Sequence, residues 1–294
     1  MDSSIFGPDL YSLYEPSRQT IPFVFNSPHS GRTYPEEFLE ASRLGHFDIR
    51  RSEDYYVDVL FEGALDIGAP LLAANFPRSF LDLNREPYEL DPKMFDGTLP
   101  PFANIGSMRV AGGLGTVPRV VAENMEIYAH RFPVADALDR IENMYKPYHN
   151  CLSRLLGRTH GAFGMAVLID CHSMPGTIRL PASNLRPDIV VGDRYGTSAS
   201  RDLSQAAIHF LQELGFVVSS NKPYAGGFIT EYYGRPSRAM HALQIEINRS
   251  IYIDEKSLVL RSEFPAVKAA LDIFMRQMAD YVCDFVELVP YAAE

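Results

Sequence analysis

Residues 165–173 read MAVLIDCHS. Five apolar residues in succession, two of them the β-branched Val167 and Ile169, mark a strand buried on both faces, as in a parallel or largely parallel sheet. The end of the run is polar, with Asp170 and His172. Burying an imidazole at a strand end disfavours its charged form and needs a reason. Residues i and i+2 of an extended chain point to the same side, so Asp170 is placed to orient His172.

Outward from this strand, further strand candidates lie at residues 21–25, 70–74, 79–83, 189–191, 216–219 and 242–247. Helical patterns alternate with them: a short one at 34–45, one at 53–67 behind the capping residue Ser52, and one at 200–214 stopped by Gly215. The pattern at 133–158 carries Leu138, Ile141, Tyr145, Tyr148, Leu152 and Leu155 along one face and meets Gly157 and Gly161 near its end. A last helix spans 264–288. Residues 1–20 read as an N-terminal arm. Residues 86–124, rich in Pro and Gly and without periodicity, form an irregular excursion that suits a lid or substrate loop, or equally an ordered surface segment. The alternation predicts an α/β fold, with a central mixed, partly parallel sheet flanked by helices, in a single domain over residues 1–294. In such sheets ligands bind beyond the carboxyl ends of the strands.

The composition fits a folded globular chain: 46% of 294 residues are hydrophobic, close to the usual share. A net charge of −10 with no long Lys/Arg block gives a nucleic-acid role little electrostatic support. The three cysteines are widely spaced and no CxxC occurs, so neither a disulfide framework nor a cysteine zinc site is expected, and a reducing, cytoplasmic setting is. The N-terminus has no apolar signal-peptide core, and no stretch is long enough to span a membrane.

Four segments carry the chemistry: SPHSG at 27–31, DLNR at 82–85, DCHS at 170–173 and LQIEIN at 243–248. His29 and His172 are candidate metal ligands. Each has an ordinary alternative as a histidine bonded to nearby backbone or carboxylate. Glu246 interrupts an apolar strand, where an ionised carboxylate is costly unless paired; it is either a general base beside a metal-bound water or the partner of Arg249 or Arg238. Asn84 and Arg85 suit a substrate carboxylate, or else Arg85 pairs with Asp82 or Glu86. Arg78 could steady a developing oxyanion. A catalytic zinc needs a third protein ligand. Asp54, with Glu53 beside it, lies at the head of the 53–67 helix, where acidic residues are also the ordinary dipole preference. His149 and His241 are reserve ligands, and local packing is the simpler role for His149.

The order of these motifs resembles the zinc carboxypeptidase clan. With SPHSGRTYP, SEDYYVDVLFEGALDIGA, RSFLDLNREP, KPYH, LIDCHS, GGFITEYYG and HALQIE, the chain resembles the N-formylglutamate amidohydrolase family over most of its length. The resemblance implies a carboxypeptidase-like (phosphorylase/hydrolase-like) fold, one zinc ion per chain, and hydrolysis of an N-formyl or other N-acyl amino acid in amino-acid catabolism such as histidine degradation. Its partner is then a small carboxylate substrate, not a nucleic acid or a membrane. It makes His29, Asp54 and His172 the metal ligands, Glu246 the base, and Asn84 with Arg85 the carboxylate site. A peptidase or deacylase of the same clan, or an inactive ligand-binding homologue, are the alternatives. The carboxypeptidase pattern has Glu three residues after its first His, where this chain has Arg32. Glu231 stands where some family members have Arg, so Arg235, Arg238 or Arg179 would have to supply a second carboxylate anchor.

Overall fold

A computed structural model describes residues 10–180 and 184–288. Its main sheet has seven strands: β1 (Tyr11–Tyr14), β2 (Phe23–Ser27), β3 (Leu71–Ala74), β4 (Ala166–Met174), β5 (Ile189–Gly192), β6 (Val218–Ser220) and β7 (Met240–Asn248). They lie in the order β1-β3-β2-β4-β7-β5-β6. β4 runs parallel to β2 and β7, β5 is antiparallel to β7, and β6 is parallel to β5, so the sheet is mixed and partly parallel. The main helices are α1 (Glu36–Ala41), α2 (Val57–Leu60), α3 (Val134–Arg140), α4 (Lys146–Phe163), α5 (Arg201–Glu213), α6 (Phe228–Tyr233) and α7 (Phe264–Leu288), with a π turn at Ile141–Tyr145 between α3 and α4. Among the described residues no helix is long and apolar enough to cross a membrane.

The chain divides into two compact units. Of the described residues, the first holds those up to Ser12, Pro28–Asp54 and Ala73–Leu152; the second holds Leu13–Ser27, Tyr55–Leu72 and those from Ser153 onward.

In the second unit the strand period of two sets the packing. Phe23, Phe25, Val167, Ile169, Cys171, Ile189, Val191, Leu243, Ile245 and Ile247 share one face and form a core with Leu60 of α2, Leu203 and Leu211 of α5, and Leu271, Phe274 and Met278 of α7. The alternate residues point the other way, where α6 lies against β7 and β4. Cys171 therefore belongs to the apolar core, and burial pushes its thiol well above the ordinary range, as does nearby Asp170. Ser200 caps α5 by accepting from the Leu203 N–H, as its sequence position implies.

Five expectations change. The 79–83 run is turn and loop: Phe80 N–H donates to Pro77 O, Asp82 N–H to Thr116 O, and the Asp82 carboxylate accepts from Asn84 N–H. These bonds take the backbone away from a ladder. The helix expected from Glu53 starts only at Val57, because Glu53 N–H donates to Arg50 O, Asp54 N–H to His29 O, and Tyr56 is left-handed at φ 56°. β4 extends four residues past Asp170, so Asp170 and His172 lie inside the strand. The 133–158 helix passes through Gly157 and Gly161 to Phe163, and Gly164, at φ 74°, ends it. The expected N-terminal arm contains β1, and residues 1–9 of it lie outside the described residues.

The buried Tyr252 hydroxyl donates to Tyr55 O at 2.8 Å, fixing the backbone next to Asp54. Tyr252→Phe leaves that carbonyl buried without the bond and is expected to lower unfolding stability by about 1–2 kcal/mol, read from urea denaturation, with an unchanged far-ultraviolet circular dichroism spectrum.

Candidate active site

The second unit supplies a polar ladder. The register pairs Asn26 with Asp170 and Asp170 with Gln244, making one row across β2, β4 and β7. One step further toward the carboxyl ends on that face, His172 pairs with Glu246 on the neighbouring parallel strand. Parallel neighbours stand about 4.8 Å apart and present partners on the same face. Each side chain of the outer row is held by the residue two before it. His172 Nε2 donates to Asp170 Oδ2 at 2.9 Å, and Gln244 Nε2 donates to Glu246 Oε1 at 2.8 Å. The inner row is anchored in turn: Asn26 donates to Asp170 Oδ1 at 2.7 Å, and Gly227 N–H, at the head of α6, donates to Gln244 Oε1 at 2.8 Å. All five side chains are buried, Glu246 being 8% exposed. Burial, with Tyr232 and Asp170 nearby, raises the Tyr233 hydroxyl on α6 above its ordinary pKa and keeps it neutral.

The first unit supplies a second cluster, centred on Asp82. Its Oδ1 accepts from His29 Nε2 at 2.7 Å and from Asn84 N–H at 2.9 Å, and its Oδ2 accepts from Arg78 Nη2 at 2.7 Å, with Arg85 Nη2 3.6 Å away. Burial works against ionisation of Asp82, but Arg78, Arg85 and His29 outweigh it and hold the carboxyl well below the usual range. His29 Nδ1 lies 3.5 Å from Asp54 Oδ2, and both residues are buried. Backbone fixes the pair, since Asp54 N–H donates to His29 O at 3.0 Å. Gly31 packs where a Cβ would come 2.0 Å from Phe76 O, so glycine here serves close approach rather than a positive φ.

Glu53 is engaged differently from Asp54. Arg50 grips it with two bonds, 2.9 and 3.0 Å, and the Tyr34 hydroxyl donates to it at 3.1 Å. Burial raises its pKa, with Arg50 opposing.

The DLNR turn is held from the long helix. His149 Nε2 bonds Leu83 O at 2.9 Å and the Tyr145 hydroxyl bonds Arg85 O at 2.7 Å, with the two rings stacked at 4.2 Å. Arg85 donates from Nε to Leu114 O and from Nη1 to Asn84 O, both at 2.8 Å; burial lowers its pKa, partly offset by Asp82. His241 Nδ1 accepts from Ser200 N–H, and burial lowers its pKa.

The remaining arginines lie elsewhere. Arg235 and Arg238 are exposed, and Arg235 Nη1 donates to the carbonyls of Glu231 and Gly234 at the end of α6. Glu231 pairs with Arg194, and Arg249 with Glu255. Arg179 donates to Gly176 O and Ile178 O.

Thus His172, Asp170 and Glu246 share the second unit, and His29, Asp54, Arg78, Asn84 and Arg85 share the first. Asn26 and Gln244 were missed as supporting residues, and Asp82 was weighed only as a partner of Arg85. For Asp82 and Gln244 a signal was present, since each is polar and two places before a singled-out residue, Asn84 and Glu246; Asn26 gains its meaning from its register with Asp170.

Comparisons with known proteins agree on one family. The family model for N-formylglutamate amidohydrolase matches residues 21–253. The solved structure of N-formylglutamate amidohydrolase from Ralstonia eutropha JMP134 is similar with a TM-score of 0.87 and 32% identity, over 93% of this chain and 98% of that one. N-formylglutamate deformylase of Pseudomonas putida is 29% identical over 80% of this chain and 83% of its own length. Gene product Atu2144 of Agrobacterium tumefaciens shares the fold, with a TM-score of 0.66 at 16% identity.

Asp82→Asn keeps the shape of the side chain but removes the charge that Arg78, Arg85 and His29 surround. Breaking a buried ion cluster on one side costs about 3–5 kcal/mol. The variant is expected to lose stability on that scale in urea at pH 7, and an unchanged midpoint would contradict the electrostatic role given to Asp82.

Proposed function

The chain belongs to the N-formylglutamate amidohydrolase family, and on that premise we propose that it is a zinc-dependent amidohydrolase that cleaves N-formyl-L-glutamate, or a close N-acyl amino acid, to formate and the free amino acid. The observation that carries the reading is Glu246 paired in register with His172 on adjacent parallel strands, each held by a hydrogen bond from its own strand.

From the family membership we assign the metal to His29 and Asp54 of the first unit and His172 of the second, each of them buried. Two features of their surroundings fit a cation. The imidazoles of His29 and His172 each direct Nε2 to a buried carboxylate, Asp82 and Asp170, so Nδ1 is the atom each would present; a carboxylate behind the imidazole is the usual support for a ligating histidine. The 3.5 Å between His29 Nδ1 and Asp54 Oδ2 is long for a hydrogen bond but matches the edge of a tetrahedron with zinc–ligand distances of about 2.1 Å. Glu53 is occupied by Arg50 and Tyr34, which favours Asp54 as the third ligand. When bound, zinc supplies Lewis-acid polarisation of the acyl carbonyl and brings the pKa of its water to about 7.

Glu246 takes a proton from the attacking water and returns it to the amide nitrogen as the C–N bond breaks, which yields formate and an amine. Gln244 fixes the carboxylate for that transfer. Arg85, with Asn84, receives the substrate α-carboxylate. Its guanidinium is pre-set by Leu114 O and Asn84 O, and its five N–H donors exceed those partners. Arg78 steadies charge developing on the acyl oxygen. The expected second carboxylate anchor is not assigned to Arg235 or Arg238: both adjoin Met240, at the opposite end of β7 from Glu246, and Arg235 donates to the carbonyls that end α6.

The purified protein is expected to release formate and glutamate in equal amounts from N-formyl-L-glutamate. Glu246→Gln should lower kcat about 10²–10⁴-fold with zinc content unchanged. Near wild-type turnover in that variant with metal bound would sink the mechanism, and activity on peptides without formate release would replace it with a peptidase.

Dialysis against a chelator is expected to abolish turnover and added zinc to restore it. His172→Ala should lose stoichiometric zinc in elemental analysis while the chain stays folded. Full activity in metal-free protein would remove zinc from the scheme.

A further inference from the structure

We propose that the first unit carries a binding site for a small oxyanion, a phosphate or a dicarboxylate, that shares no residue with those assigned to hydrolysis. A cavity of about 210 Å³ is lined by Arg43, Lys93, Arg119, His130 and Arg131, with Glu126 as its acidic side chain. In a chain of net charge −10, a concavity with four permanent cations and one carboxylate runs against the average surface. A basic patch on a convex face is usually just solvated; a concave one focuses its field and concentrates anions.

The carboxylates near the cavity fix its arginines. Glu126 Oε2 lies 3.3 Å from Arg43 Nη1 and its Oε1 lies 2.9 Å from Arg119 Nη1, while Asp91 holds Arg119 Nε at 2.8 Å. Arg43 is also pinned by donation to Tyr128 O and Ala129 O. With Glu126 and Asp91 matched to Arg43 and Arg119, the charges of Lys93 and Arg131 remain. Among the described residues neither has a carboxylate partner. His130 adds a polar donor at the same wall.

The frame is built before any anion arrives. Arg43 N–H donates to Ile127 O at 2.9 Å, Ser42 bridges to Tyr128, and Val120–Ala122 pairs with Met125–Glu126. Guanidinium groups held in place lose little freedom on meeting an oxyanion, and they donate to it in a fork. The volume is below the roughly 300–1,000 Å³ of drug-sized pockets, which selects a compact anion over a nucleotide. This assignment does not depend on the hydrolase reading.

The test is isothermal titration calorimetry on the full chain at constant ionic strength, with inorganic phosphate in one arm and glutarate in the other, for wild type and the double variant Lys93→Ala/Arg131→Ala. Both substituted side chains are exposed and unpaired among the described residues, so the variant should fold, which circular dichroism and Tm check. Saturable one-site binding by wild type, weakened at least tenfold in the double variant, is expected; the arm in which it occurs identifies the anion. Absence of saturable binding in both arms, or equal affinity in wild type and variant, overturns the proposal.

Discussion

Successive side chains of a β-strand leave on opposite faces, and the candidate chemistry of the second unit follows from that rule. β2, β4 and β7 give the odd-numbered Phe23, Phe25, Val167, Ile169, Cys171, Leu243, Ile245 and Ile247 to the apolar core and the even-numbered Asn26, Asp170, His172, Gln244 and Glu246 to the polar face. Because β4 and β7 are parallel and in register, His172 and Glu246 become neighbours without any loop having to position them. The i, i+2 hydrogen bonds within each strand then set their orientation. A shift of one residue in the pairing of β7 would turn Glu246 into the apolar core and bring Ile247 in its place.

Such a face is expensive. Asp170 is fully buried and Asp82 nearly so, and neither could be kept there without donors. The fold supplies neutral amides to Asp170 and Glu246 through Asn26 and Gln244, and guanidinium groups to Asp82. The difference is chemical. A carboxylate flanked by arginines is held ionised well below the ordinary range, as Asp82 is, and so serves as a permanent acceptor for His29. Glu246, the base of the proposed reaction, instead accepts from the neutral side-chain amide of Gln244.

Much of this was legible in the sequence. The central strand, the mixed sheet, the helices at 201–213 and 264–288, and the pairing of Asp170 with His172 follow from periodicity and the caps. The first unit was harder, because its structure is written in turns. Local hydrogen bonds of Asp82 and Asn84 defeated the strand pattern at 79–83, and no alternation of apolar residues announces them. Asn26 was readable only once the register was known, since it gains meaning from a neighbour 144 residues away.

The broken helix after Ser52 shows the same competition between local preference and placement. The sequence favours a helix from Glu53, yet α2 begins at Val57 and Tyr56 takes a left-handed conformation that costs about 1–2 kcal/mol for a residue with a Cβ. What the chain gains is the bond from Asp54 N–H to His29 O, with the Asp54 carboxylate beside the imidazole. Tyr252 then braces the next carbonyl, that of Tyr55, from the core side. A helix running unbroken from Glu53 would have carried Asp54 on regular helical geometry, with no means of turning it back toward the loop after β2. Strain at Tyr56 is therefore the physical cost of holding a histidine and a carboxylate 25 positions apart in sequence at one point in space, and it falls at the place where propensity alone misreads the chain.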